Sequence, residues 1–345
     1  VGRLSLVLLV GCYSPSAAPG SPCDPGVCPA ELVCSPATHT CEKTAVPGTD
    51  AALADGRAID GAADAHADAH LGAIRHVFVI VMTRVPWASI AGSASAPYIN
   101  SLLSTAAHAA GYVMAPGSFG SSEPYNIWLE AGDNLGTTGD NGPVTDHQTT
   151  KLHLSTLLDG AGLEWKAYLE GVSGSGCPTA SDSGTGYYVY HDPFVFFDDV
   201  VASAAYCTQH IRPFTDLATD LANGNAPAYS FIVPVLCNDM HDPCAPLNDP
   251  VAQGDAWLKM AVPIITGSSA FASSALFITW DYNNQNTSPI GMIVVSPFAK
   301  PGHSNTTAYD ASSTMLTFQE ILGVTPAMRN AATATDLSDL FATFP

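Results

Sequence analysis

From about Ile74 to Pro345 the chain alternates short apolar runs with stretches of helical periodicity. The runs His76 to Met82, Tyr229 to Leu236, Ala275 to Asp281 and Ile290 to Pro297 are apolar at almost every position, as in strands covered on both faces. Between them, helical spacing fills Pro97 to Ala110, Gln148 to Ala161, Arg212 to Asn223, Val251 to Thr266 and Ser312 to Leu322, with Ser312 or Ser313 able to cap the last. This order predicts an α/β domain, residues 74–345, built on a doubly wound, mostly parallel sheet with helices on both faces. Ligands bind such sheets beyond the carboxyl ends of the strands. That rule singles out Thr83 and Arg84, the loop after Leu236, and Asp281 with Tyr282.

The first 73 residues follow another pattern. Arg3 and the apolar run Leu4 to Val10 read as a short signal peptide over residues 1–11. Leu9-Val10-Gly11-Cys12 resembles a lipobox, so Cys12 is the expected site of lipidation and the protein an exported bacterial lipoprotein of the cell envelope or exterior. Residues 12–44 form a small Cys-rich module containing Cys23, Cys28, Cys34 and Cys41. In an oxidising compartment these are expected to form disulfides; zinc is the alternative, but the spacings are not paired C-x-x-C knuckles. By the same arithmetic Cys177 with Cys207, and Cys237 with Cys244, staple loops of the main domain. Residues 45–73, rich in Ala, Asp and Gly without apolar periodicity, read as a linker.

Charge narrows the range of partners. Of 345 residues, 31 are acidic and 11 are Lys or Arg, for a net charge of −20. Such a surface repels the phosphate backbone, which excludes nucleic acid as the expected partner and restricts membrane contact to the lipid anchor. With 47% hydrophobic and 12% charged residues the chain has ample material for a core.

Several ordered segments carry a family resemblance. They are Ile74 to Met82, Ser95 to Asn100, Ser122-Glu-Pro, Ile127 to Gly132, Asn238-Asp-Met-His-Asp242, Phe277 to Asp281, Gly291 to Pro297, Phe318 to Gly323 and Thr335 to Phe341. Together they resemble the bacterial phosphoesterase family of secreted acid phosphatases and phosphatidylcholine-type phospholipases C, over essentially all of residues 74–345. The resemblance implies an alkaline-phosphatase-like fold, a hydroxyl nucleophile and a small phosphate ester or other anionic ligand. Ser122, within Gly120 to Asn126, stands at the nucleophile position. In the intact loop Cys237 to Cys244, Asp239 lies near the phosphate, and His241 is placed to protonate a leaving oxygen.

The chain departs from the family at the metal. Family members carry Glu and Asn ligands after the first strand and two acids after a later one; here those positions hold Thr83, Arg84, and Asp281 followed by Tyr282. A His common before the paired serines of the last helix is Ala311. Asp281 and Asp242 remain as acidic ligands for one weakly bound divalent ion, since hard cations prefer several anionic oxygens. Arg84 either offers a guanidinium fork to the substrate's anion or pairs with Asp281. The resulting expectation is an exported hydrolase of phosphate esters working through Ser122. The alternative is a catalytically inactive relative kept for ligand binding.

Overall fold

The computed structural model describes residues 32–34, 41–43, 72–118, 120–283 and 289–345. By its contacts the chain divides into two units, Val1–Gly61 and Ala62–Pro345. In the first, β1 (Leu32–Cys34) and β2 (Cys41–Lys43) pair antiparallel with Cys34 opposite Cys41. The signal peptide, Cys12, the remaining Cys-rich segment and the linker as far as residue 71 lie outside the described residues.

The second unit is organised by β3 (His76–Met82), whose apolar side chains are buried on both faces. After it come α1 (Pro97–Leu103), β4 (Ala107–Ala109), α2 (Ser122–Ala131), α3 (Leu154–Gly160) and β5 (Trp165–Leu169). Then follow α4 (Asp198–Val201), α5 (Ala204–His210), β6 (Ile211–Pro213), α6 (Phe214–Ala222), β7 (Tyr229–Val233) and α7 (Pro250–Thr266). The unit ends with β8 (Ser274–Trp280), β9 (Met292–Val295), β10 (Ser304–Asn305) and α8 (Ala311–Leu322). The strands form one sheet in the order β10-β4-β9-β8-β3-β7-β5-β6, and only β9 runs against its neighbours. This is the mostly parallel α/β architecture that the apolar runs predict.

The differences from the sequence pattern have local causes. The helix expected to reach Ala110 stops at Leu103, and Ala107–Ala109 turns into the sheet between β10 and β9. Three alanine-rich residues carry too little side chain to signal a strand; neighbouring strands, not propensity, decide their conformation. β7 ends at Val233, where Pro234 has no N–H to continue a ladder. The cap of α8 is Asp310 and neither expected serine: its Oδ1 accepts from the N–H groups of Ser312 and Ser313, and the Ser313 hydroxyl faces the Asp310 N–H, completing a capping box.

The helix that matters most for the site, α2, is buried along its whole length. Trp128 donates its indole N–H to Ser312 on α8 at 2.9 Å, and Tyr112 joins Tyr125 to Thr314 through hydroxyl hydrogen bonds of 3.1 and 2.7 Å. Gly132 ends the helix at φ +71°, and a Cβ there would stand 2.6 Å from the Met328 carbonyl, so only glycine serves. On the opposite side of α2, Glu130 Oε1 accepts from Ser155 N–H at 2.8 Å and lies 2.9 Å from His153 Nδ1. The other nitrogen of that ring lies 3.1 Å from Asp199. His153 thus links α2, α3 and α4 as a paired, buried imidazole.

Removing one member of such a buried pair strands the other's charge. His153→Ala is expected to cost about 3–5 kcal/mol in urea unfolding near neutral pH, because Glu130 loses its partner in a dry environment. His147, which meets Asp198 on the exposed surface, gives the comparison: His147→Ala is expected to cost under about 1 kcal/mol.

Candidate functional site

The three central strands β7, β3 and β8 are adjacent and parallel, so their carboxyl ends open at one edge of the sheet. Two backbone hydrogen bonds tie the following residues together there. Asp281 N–H donates to Met82 O at 2.9 Å, and Thr83 N–H donates to Asp239 O at 2.9 Å. Both carboxylates are thereby fixed beside the end of β3, and both are buried.

Asp239 is held by an unusual loop. The disulfide Cys237–Cys244 closes it, with Cα atoms 5.6 Å apart. Gln253 on α7 donates to the carbonyls of Cys237 and Asp242 and accepts from Cys244 N–H. Met240, at φ +79°, drives its side chain into the core, where Trp280 donates to its sulfur. Gly254 makes room for it, since a Cβ at that position would lie 2.4 Å from Met240 Cγ. The other bridge, Cys177–Cys207, staples α5 to the loop after β5.

Ser122 reaches the same place from the first residue of α2. A reciprocal clamp fixes the start of that helix: Glu123 N–H donates to Asp140 at 2.9 Å, while Glu123 Oε2 accepts from the N–H groups of Asn141 and Gly142. The Ser122 hydroxyl lies 3.0 Å from His191 Nε2, and His191 comes from the 3-10 turn Val189–His191. Across the ring, Nδ1 stands 3.3 Å from Asp239 Oδ2, a charge contact looser in alignment than a hydrogen bond. Nε2 is also 4.0 Å from Asp281 Oδ2. Serine, imidazole and carboxylate are therefore successive neighbours, with exposures of 1%, 4% and 0%.

Burial and charge compete in this cluster. Burial lowers the His191 pKa, but Asp239, Asp281 and Asp140 outweigh it and hold the imidazole above its ordinary value. Burial pushes Asp281 up to about 6 against the pull of His191 and of the Thr83 and Ser122 hydroxyls. Asp239 is raised for the same first reason, opposed by His191 and by the His241 N–H that it accepts.

Of the residues singled out by sequence, Ser122, Asp239, Asp281 and Thr83 converge here. His241 and Arg84 form a neighbouring pair: Arg84 Nη1 lies 3.3 Å from His241 Nδ1, and Asp242 Oδ1 lies 2.8 Å from that same nitrogen. Arg84 thus turns to His241, not to Asp281, and adopts φ +69° to do so. Both line a cavity of about 370 Å³ with Val85, Pro86 and Ser89. The Tyr188 ring connects the two groups, 5.0 Å from His191 and 6.3 Å from His241. Nothing in the local sequence separates His191 from His147 and His153. His153 is a paired core residue and His147 an exposed one, but His191 touches the candidate nucleophile.

The donors do not fit a divalent metal. Asp281 accepts from Tyr282 N–H, Asp242 turns outward to His241, and Arg84 brings a guanidinium to the same loop. Thr83 offers a neutral hydroxyl beside Asp281, and the second buried carboxylate, Asp239, is directed at His191, which leaves too weak a set for a hard cation. Among the described residues, no three His, Cys, Asp or Glu side chains group as a metal site.

Comparison with known proteins bears on this geometry. The sequence pattern of the phosphoesterase family matches residues 93–325. A phosphatidylinositol-3-phosphatase of Mycobacterium tuberculosis is 30% identical over 270 residues, which cover 77% of this chain and 82% of that protein. An acid phosphatase of Aspergillus fumigatus is 28% identical over 167 residues, 46% of this chain and 35% of that one. Among solved structures, an alkaline-phosphatase-superfamily protein from Vibrio parahaemolyticus superimposes with a TM-score of 0.51 at 10% identity, covering 78% of this chain and 72% of its own, which speaks to the fold alone.

The clamp beside Ser122 sets a pH dependence. Burial, with Asp146 nearby, raises Glu123 from 4.5 to about 8. The folded chain therefore keeps a proton that the unfolded chain releases, so this contribution to stability is full below about pH 4.5 and is lost as pH rises through about 8. Glu123→Gln keeps an oxygen for the two N–H groups and is expected to flatten that part of the curve, read by urea unfolding from about pH 5 to about 8.

Proposed function

Because this chain belongs to the phosphoesterase family, we propose that it hydrolyses phosphate monoesters, with Ser122 as the nucleophile. The observation that carries the reading is the position of the Ser122 hydroxyl, buried at the ends of the central strands within reach of His191 and Asp281. Its place at the start of α2 adds the positive end of a helix dipole to a site that must receive a phosphoryl group. Arg84 and His241, lining the adjoining cavity, suit the anionic oxygens of the ester or its leaving group. The relatives named for phosphatidylinositol 3-phosphate and for acid phosphatase activity support a monoester as the substrate class.

The two disulfides fit an oxidising compartment and support export of the protein, with Cys12 as its lipid attachment. A second reading, binding without turnover, draws on Thr83 and Arg84 standing where the family carries metal ligands.

Hydrolysis of p-nitrophenyl phosphate by the purified chain separates the two. Turnover by the wild type and a loss of about 10³-fold or more in Ser122→Ala, with unfolding unchanged, is the expected result. A folded wild type that binds inorganic phosphate but turns over neither p-nitrophenyl phosphate nor a phosphoinositide monoester would establish the binding reading instead.

A further inference from the structure

Among the described residues no three His, Cys, Asp or Glu side chains group as a metal site, and the positions that the family resemblance assigns to metal at the strand ends hold a threonine, a guanidinium and Asp281. What does meet the Ser122 hydroxyl is an imidazole. We infer that His191 activates Ser122 in place of a metal, acting as general base with Asp239 as the residue that positions its ring. This rests on the reading of Ser122 as nucleophile and adds the residue that makes the hydroxyl reactive.

Three observations converge on it. His191 Nε2 is 3.0 Å from Ser122 Oγ, within reach of the proton that must leave. Nδ1, the opposite nitrogen, faces Asp239 Oδ2 at 3.3 Å, which favours the tautomer with its proton on Nδ1 and leaves Nε2 free to accept. The ring is held by its own turn, through His191 N–H to Tyr188 O at 3.1 Å, and by the Tyr188 ring set edge-on to it at 76°. The three residues come from α2, a 3-10 turn and the loop after β7. Serine, histidine and aspartate arrangements of this kind are recognised by geometry and not by chain order. Asp281, 4.0 Å from Nε2, adds a second carboxylate facing the cation that forms when the proton arrives. The imidazolium thus supplies between these two acids the positive charge that a metal supplies elsewhere in the fold.

The chemistry balances with water as the only co-reactant. In the first half, the Oγ–P bond forms as the bond from phosphorus to the leaving oxygen breaks, and the Oγ proton passes to Nε2 and then to that oxygen. In the second, water gives a proton to Nε2 as its oxygen bonds to phosphorus. The Oγ–P bond breaks and the proton returns to Ser122.

The test uses diisopropyl fluorophosphate, which needs no knowledge of the natural substrate. The Ser122 oxygen bonds to phosphorus, fluoride leaves, and the proton goes to His191. The full chain, stripped with EDTA, is expected to carry the adduct on Ser122 by mass spectrometry, at the rate seen before chelation. His191→Ala is expected to slow labelling about 10²–10⁴-fold, with added imidazole recovering part of the rate. Asp239→Asn should slow it as well, and Asp239→Glu should recover part of that loss. His147→Ala, remote from the site, should label like the wild type. Labelling of the wild type that requires an added divalent ion, equal labelling of folded His191→Ala, or no Ser122 adduct on the folded wild type would each overturn the inference. Absence of p-nitrophenyl phosphate turnover beside normal labelling would instead sink the phosphatase reading and leave the activated serine standing.

Discussion

Two carboxylates held out of water at the end of the central strand set the terms for everything around them. Asp239 and Asp281 arrive from the two strands that flank β3, and each is tied to it by a backbone hydrogen bond, through Thr83 and Met82 respectively. A buried charge without a partner costs several kcal/mol, so the fold must supply a cation or keep protons there. Protons kept on the acids answer part of that demand, since burial raises both Asp281 and Asp239, and the His191 ring stands between them with Nε2 toward Ser122. The same requirement that stabilises the core of the site therefore places a base against a hydroxyl.

Such a cluster works only if its members cannot drift, and the surrounding chain explains why they do not. A disulfide, a bridging glutamine and a buried methionine fix the loop that carries Asp239. The start of α2 is clamped to residues 140–142, and its body is packed on α8 by the Trp128 and Tyr112 hydrogen bonds. On its other side, the Glu130, His153 and Asp199 network seals α2 to α3 and α4. Precision in Ser122 is thus inherited from contacts many residues away, which is how a rigid scaffold confers directed reactivity on one hydroxyl.

Much of the fold is legible in the sequence because its central strands announce themselves. HVFVIVM and ALFITWD are apolar at almost every position, and the strand-end rule then points to Thr83, Arg84, Asp281 and the loop carrying Asp239 and His241, which do gather at one edge. The peripheral strands are not legible: Ala107–Ala109 and Ile211–Pro213 are short and take their conformation from neighbours. His191 is not legible for a related reason. It lies in a stretch of tyrosine, glycine and proline with no periodicity, and nothing local shows that the chain returns there to Ser122, 69 positions earlier. The nearest available signal was chemical: a chain lacking the usual metal ligands needs another way to activate its serine, and a histidine is the commonest one. Charge alone does not choose between the two roles open to Arg84; in the fold its side chain meets His241 and not Asp281, from a backbone at φ +69°.

Phosphate is proposed to pass through Ser122 in a site assembled from an imidazole and two carboxylates. Rapid acid quenching during turnover, followed by mass spectrometry of the digested chain, tests it most directly. Phosphoserine is expected at Ser122, accumulating when hydrolysis of the phosphoserine is slower than its formation. Turnover with no phosphorylated intermediate at Ser122, or with phosphate carried on His191 or His241, would contradict it.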